Sequence, residues 1–149
     1  MKRFTYKDLK IKNCEPAYDG FFKIDRLTFD HARFDGGVNR DVVREVLVKS
    51  DTVSVLAYDP KRDEVLLVEQ VRGPLYSRTE RETPWSYEII AGMIDTDESP
   101  EEVAIREAEE EAGITIERLI PITSYYDSTG MSGGRMHLFL GLCSLKDAG

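Results

Sequence analysis

Apolar-rich segments of six to nine residues, separated by stretches containing Gly, Pro and Asp, divide this chain into strands around one helical stretch. Phe21–Phe29 and Val42–Val48 are rich in β-branched and aromatic residues and flank Asp35-Gly36-Gly37, which reads as two strands and a turn of a small antiparallel sheet. Thr52–Tyr58 and Glu64–Gln70 flank Asp59-Pro60-Lys61-Arg62-Asp63. Pro60 fixes a turn dihedral and removes a backbone donor there, so this pair reads as a hairpin. Gly73–Pro84 is polar, charged and bounded by prolines, the pattern of a long surface loop of the kind that often carries function. Trp85–Ile90, Leu119–Tyr126 and Arg135–Leu142 complete the strands. One helix among several strands gives an α+β class, with residues 1–50 as an N-terminal β extension and residues 51–149 as the main domain.

The helix has clear ends. Ser99 can cap, Pro100 suits the first helical position, Glu102 can close a capping box, and Gly113 supplies a left-handed stop. At about 100° per residue, Ala104, Ile105, Ala108 and Ala112 gather on a packed side, while Glu107, Glu110 and Glu111 share the other. Spacings of three and four set like charges beside one another, in the half of the helix whose dipole already favours cations. A glutamate-rich surface helix is the plain alternative from this segment alone. A hard divalent cation, Mg²⁺ or alternatively Mn²⁺, relieves the repulsion, because it prefers carboxylate oxygen and commonly bridges carboxylates to phosphates.

Composition narrows the partners. A chain of 149 residues with 41% hydrophobic and 32% charged residues has enough apolar surface for one core. Its net charge of -8 repels a phosphate backbone, which argues against nucleic acid as a partner, and an anionic substrate needs a bridging cation. Cys14 and Cys143 make neither a zinc spacing nor a disulfide framework and read as reduced thiols. No apolar run is long enough to cross a bilayer and the start lacks a signal-peptide pattern, so a cytoplasmic location with no membrane partner is expected. His31 and His137 have no partner spacing and read as structural.

The flanking residues decide between the two readings of the helix. Gly92, five residues, Glu98, seven residues, then Arg106-Glu107-Ala108-Glu109-Glu110-Glu111-Ala112-Gly113-Ile114 resembles the Nudix box, G-x5-E-x7-R-E-U-x-E-E-x-G-U, at every defined position, with Ala108 as a small member of U. The resemblance runs from about Tyr18 to Leu142. Gly20-Phe21-Phe22, Val43-Arg44-Glu45, Val65–Arg72, Thr83-Pro84-Trp85 and Ala91-Gly92-Met93-Ile94 look like the bacterial ADP-ribose pyrophosphatase branch. It implies a Nudix fold, an α/β/α sandwich with a mixed sheet. It also implies that Glu107 and Glu111 hold the metal, helped by Glu110 and the carbonyl of Ala91, with Arg106 and Glu98 as the ionic brace. Arg72 matches a substrate-contacting arginine, in keeping with its bidentate donors, and Met93 a substrate contact in the box loop. Phe21 and Phe22 match aromatic contacts to the adenosine end, although core packing is expected for at least one of them. Arg44 and Glu45 match residues lent by the partner subunit of a homodimer, so the N-terminal extension is expected to exchange between subunits.

The implied activity is metal-dependent hydrolysis of the diphosphate bridge of a nucleotide-sugar substrate, ADP-ribose to AMP and ribose 5-phosphate, with GDP-mannose as the nearest alternative. Two departures bear on it. Ser128, Thr129 and Gly130 stand where the branch has a Ser-Pro-Gly substrate loop, and a glutamate expected nearby is replaced within Gly133-Gly134-Arg135. The branch also continues beyond the Arg135–Leu142 strand into a loop that bears its general base and a further metal ligand. The expectation is therefore a catalytic piece incomplete at its C-terminus, either turning over slowly, with a nucleotide-sugar binding module as the alternative, or using Glu80 or Glu82 as base.

Overall fold

The computed structural model describes residues 4–80, 82–146 and 148. Two compact units are present: Met1–Lys49 with Asp127–Gly134, and Ser50–Tyr126 with Arg135–Gly149. The Asp127–Gly134 segment, placed with the catalytic piece by sequence, therefore groups with the N-terminal unit. Among the described residues no helix is long and apolar enough to cross a membrane.

The N-terminal unit is an antiparallel meander of β1 (Leu9–Asp19), β2 (Lys23–Ala32) and β3 (Val38–Val48). β1 carries no apolar alternation strong enough to announce it and is exposed along its length; pairing with β2, from Leu9 opposite His31 to Asp19 opposite Lys23, is what defines it. The Asp35-Gly36-Gly37 turn lies between β2 and β3, with Gly36 at φ 91°. Asp41 is left-handed at φ 54°, and its N–H donates to the buried Asp30 carboxylate at 2.8 Å. The Asp127–Gly134 segment is tied to β3 by an ion pair of Lys49 with Asp127 and by the Leu47 N–H, which donates to the Met131 carbonyl at 2.7 Å.

The second unit has a mixed sheet. β4 (Thr52–Asp59) runs parallel to β10 (Arg135–Cys143), which pairs antiparallel with β9 (Ile116–Tyr126). Along its other edge β4 pairs with β8 (Ile90–Met93) through Thr52–Val55 and with β5 (Glu64–Leu66) through Ala57–Asp59. β6 (Val68–Val71) and β7 (Trp85–Glu88) form a separate two-stranded ribbon. Two expected strands are thus each divided: Glu64–Gln70 breaks at Leu67, and Trp85–Ile90 at Ile89. Their two halves join different sheets. The Gly73–Pro84 loop begins with a 3-10 turn over Gly73–Ser77.

Among the described residues there is one α-helix, α1 (Pro100–Ala112), and it has the ends its sequence predicts. The Ser99 hydroxyl accepts from the Glu102 N–H at 3.3 Å, Glu102 accepts from the Ser99 N–H at 2.8 Å, and Gly113 closes the helix at φ 63°. Val103, Ala104 and Ala108 are fully buried, whereas Ile105, expected on the packed side, is 46% exposed. The small alanines let α1 lie close to β8 and β4, and Val53, Val55, Ala57, Ile90 and Phe139 complete the dry core beneath it. Asp59 closes the far end of β4. Its carboxylate accepts from the N–H groups of Lys61 at 2.9 Å, Arg62 at 3.3 Å and Leu145 at 2.9 Å.

Candidate functional site

The core dictates where the helix glutamates go. With Ala104 and Ala108 against the sheet, Glu107 and Glu111 rise at the border between α1 and β8. Gly92 leaves room for this: a β-carbon there would fall within the Glu107 carboxylate. One turn on, a Glu111 oxygen accepts from the Ala91 N–H at 3.1 Å. Two carboxylates therefore sit side by side along Ala91-Gly92, Glu107 half-buried and Glu111 exposed.

Arg106 braces this pair. Its Nε lies 3.3 and 3.4 Å from the two Glu98 oxygens, and its Nη1 donates to Glu107 at 3.0 Å and to Glu110 at 2.9 Å. Glu98 is itself steadied by the Thr96 hydroxyl at 2.8 Å. Glu110 is exposed and turned to Arg106, so the expected set of three glutamates is not drawn together. Among the described residues no three His, Cys, Asp or Glu side chains converge as a metal cage. The physical reason is local, because the guanidinium is the nearest cation and Glu110 pairs with it. Burial pushes the Glu107 carboxyl above the usual carboxylate range, against the pull of Arg106, and Glu110 and Glu111 push it further. An adjacent, all-oxygen, under-compensated pair is the donor chemistry that a hard divalent cation takes, so the residues present fit such an ion.

Arg72 follows β6, and its Nε donates to both oxygens of Glu88 at 2.9 and 3.0 Å while Nη2 pairs with one of them. The pair raises the arginine above its ordinary value and holds Glu88 below its own, with the Ser86 hydroxyl assisting. The charge of Glu111 also reaches Arg72. Sequence reasoning picked out Arg72 and missed Glu88. The available signal was alternation in Trp85-Ser86-Tyr87-Glu88, which puts Ser86 and Glu88 on one face of the ribbon as the less exposed residues.

Met93 ends β8 and is 47% exposed. Phe21, Phe22, Arg44, Glu45, Ser128, Thr129 and Gly130 lie in the N-terminal unit, and Glu80 and Glu82 in the second. Phe21 and Phe22 occupy the β1–β2 turn, edge to face at 5.0 Å and exposed by 84% and 56%, so neither packs in a core as expected. Arg44 donates to its own neighbour's carbonyl, Val43, at 2.7 Å, and Glu45 lies 3.7 Å from Arg26. Ser128, whose carbonyl accepts from Met131 and Ser132 at 2.9 Å each, opens a turn with Thr129 and Gly130. Glu80 pairs with Arg78 at 3.8 Å.

A mixed sheet bearing one glutamate-lined helix against a glycine-containing strand is the arrangement of a Nudix fold. The family model described as NUDIX domain matches residues 48–147, and the chain belongs to that family. The ADP-ribose pyrophosphatase of Haemophilus influenzae is 45% identical over 142 residues, which cover 95% of this chain and 65% of the relative. That of Escherichia coli strain K12 is 41% identical over 138 residues, 93% of this chain and 65% of the relative. The chain thus spans 65% of the length of these curated relatives. A crystal structure of an ADP compounds hydrolase matches with a TM-score of 0.69 at 19% identity, over 95% of this chain and 70% of that one, which establishes the shared fold.

Proposed function

We propose that this chain hydrolyses the diphosphate bridge of a nucleoside diphosphate sugar, with ADP-ribose as substrate and AMP and ribose 5-phosphate as products. The observation that carries the reading is the placement of Glu107 and Glu111 side by side along Ala91-Gly92, with Arg72 within electrostatic reach. The 45% identity to an ADP-ribose pyrophosphatase supports the substrate. Glu107 and Glu111, with the Ala91 carbonyl, would hold Mg²⁺ or Mn²⁺, and Glu110 would join when its pairing to Arg106 loosens. When bound, the ion neutralises diphosphate oxygens and makes a water more acidic. Arg72 presents guanidinium donors to the diphosphate, Arg106 and Glu98 keep Glu107 in place, and Met93 lines the sugar-phosphate path.

The proposal extends to the N-terminal unit. Phe21 and Phe22, exposed and mutually braced, offer aromatic faces for an adenine ring. Arg44 and Glu45 would act across a homodimer, and Ser128, Thr129 and Gly130 would contact the substrate. The setting is cytoplasmic.

The test is product analysis after incubation with ADP-ribose, GDP-mannose or a dinucleoside polyphosphate plus Mg²⁺. Selective release of AMP from ADP-ribose is expected. Release of GMP from GDP-mannose in preference would overturn the substrate, and no cleavage of any of them would overturn the reaction. A strictly monomeric protein at micromolar concentration would remove the exchanged dimer.

A further inference from the structure

We infer that Glu88 is a positioning residue, which parks the Arg72 guanidinium so that it faces an incoming anion and stays off the Glu111 carboxylate; this rests on the diphosphate reading above. Three observations carry it. First, Glu88 takes the Nε–Nη2 edge of Arg72 in a two-oxygen pair. A guanidinium has five N–H donors, so this grip leaves the Nη1 side and one Nη2 hydrogen open, and it removes the rotation that would make them hard to use. Second, the charges of two carboxylates act on Arg72. Glu111 is near enough for its charge to act on Arg72, yet the bidentate pair goes to Glu88. Glu111 keeps its own contact, the Ala91 N–H, and remains available as a metal ligand.

Third, Glu88 is built to stay where it is. Ser86 helps to hold the Glu88 carboxyl below its ordinary value, and Ser86 and Glu88 share the less exposed face of β7. On the other strand of the ribbon, the Arg72 N–H donates to the Pro84 carbonyl at 3.0 Å, which fixes the root of the arginine. The grip therefore has both ends anchored in one ribbon, and removing Glu88 frees a cation whose nearby charges include the exposed Glu111 carboxylate.

Glu88→Gln keeps the shape of the side chain and removes its charge. The expected result is a KM for ADP-ribose raised roughly tenfold with a smaller change in kcat, the scale of one lost charge-assisted hydrogen bond. Mn²⁺ affinity, measured by calorimetry without substrate, is expected to weaken several-fold as Arg72 moves onto Glu111. Both effects are expected to vanish when Glu88→Gln is made in an Arg72→Ala background. Ser86→Ala shifts both in the same direction by less, and serves if Glu88→Gln does not fold. Unchanged Mn²⁺ affinity in Glu88→Gln, or a loss that persists without Arg72, overturns the inference, because Glu88 would then act by its own charge or not at all. The calorimetric arm is independent of turnover, so it stands even if no nucleotide sugar is cleaved.

Discussion

The two units of this chain treat their apolar residues in opposite ways. In the second unit eleven apolar side chains are buried among the described residues, from Val53 and Val55 on β4 to Leu145 beyond β10. In the N-terminal unit no described apolar side chain is buried to that degree, and the buried side chains described are those of the polar Asp30 and Ser132. Phe34 is 89% exposed there, and Val43 and Val48 nearly half. Backbone pairing alone can draw a three-stranded sheet, but an uncovered sheet has little to offset the entropy of ordering it. The Glu107 and Glu111 carboxylates therefore stand on the part of the molecule that packing makes rigid, whereas the N-terminal sheet rests chiefly on backbone pairing.

Two glycines give the sharpest contrast. Gly92→Ala must push the Glu107 carboxylate away from β8, and a shift of that size costs on the order of 10²-fold in turnover, measured as AMP release, with circular dichroism unchanged. Gly134→Ala in the N-terminal unit meets chiefly the flexible end of Lys49, so its rate is expected to stay within about threefold of wild type. Comparable losses in both would remove the distinction.

Core truncation comes next. Ile90→Ala empties a fully buried site and is expected to cost about 2–5 kcal/mol in urea unfolding. Val43→Ala, half-exposed on β3, is expected to cost less than about 1 kcal/mol in dilute protein. A Val43→Ala cost that grows with protein concentration would show a partner covering that strand, and would turn the comparison into direct support for the dimer.

The smallest effects are in acid. The Leu145 N–H holds Asp59 below the usual carboxylate range, overcoming its burial, with Lys61 and Arg62 adding to it. A carboxylate lowered in the folded state contributes stability that is complete above its unfolded pKa and disappears as pH falls through the folded one, which places the loss below about pH 4. Asp59→Asn is therefore expected to lower the unfolding midpoint at neutral pH and to flatten its decline in acid. Asp30 is lowered in the same sense, chiefly by the Asp41 N–H and then by Lys12. Asp30→Asn is expected to change amide exchange at Asp41 and its β2–β3 neighbours while leaving the main unfolding transition in place. A shift of that transition as large as for Asp59→Asn would mean that the two units unfold as one.

What the sequence made legible follows from where its signals are local. The helix was readable to the residue because Ser99, Pro100, Glu102 and Gly113 each act through backbone groups a few positions away. The box spacing identified the family because metal-binding geometry fixes many residue types within one helix and one strand. β1 was not readable, since its partner supplies the order and its side chains face outward. Nor was the division of two strands at Leu67 and Ile89, because leaving one sheet for another is a tertiary choice that an apolar run cannot encode. Ile105 was assigned inward by periodicity, yet the helix turns Val103 to the core instead. Glu88 was passed over because its importance lies in Arg72, sixteen positions away.

The central claim, that the carboxylates along Ala91-Gly92 perform the chemistry, is tested most directly by comparing AMP release from ADP-ribose by the wild-type chain and by Glu111→Gln at saturating Mg²⁺. The expected result is a fall of about two or more orders of magnitude with the fold intact or slightly steadier, since the change relieves repulsion with Glu107 and removes a ligand that stabilises transition-state charge. Equal rates in the two proteins would contradict it.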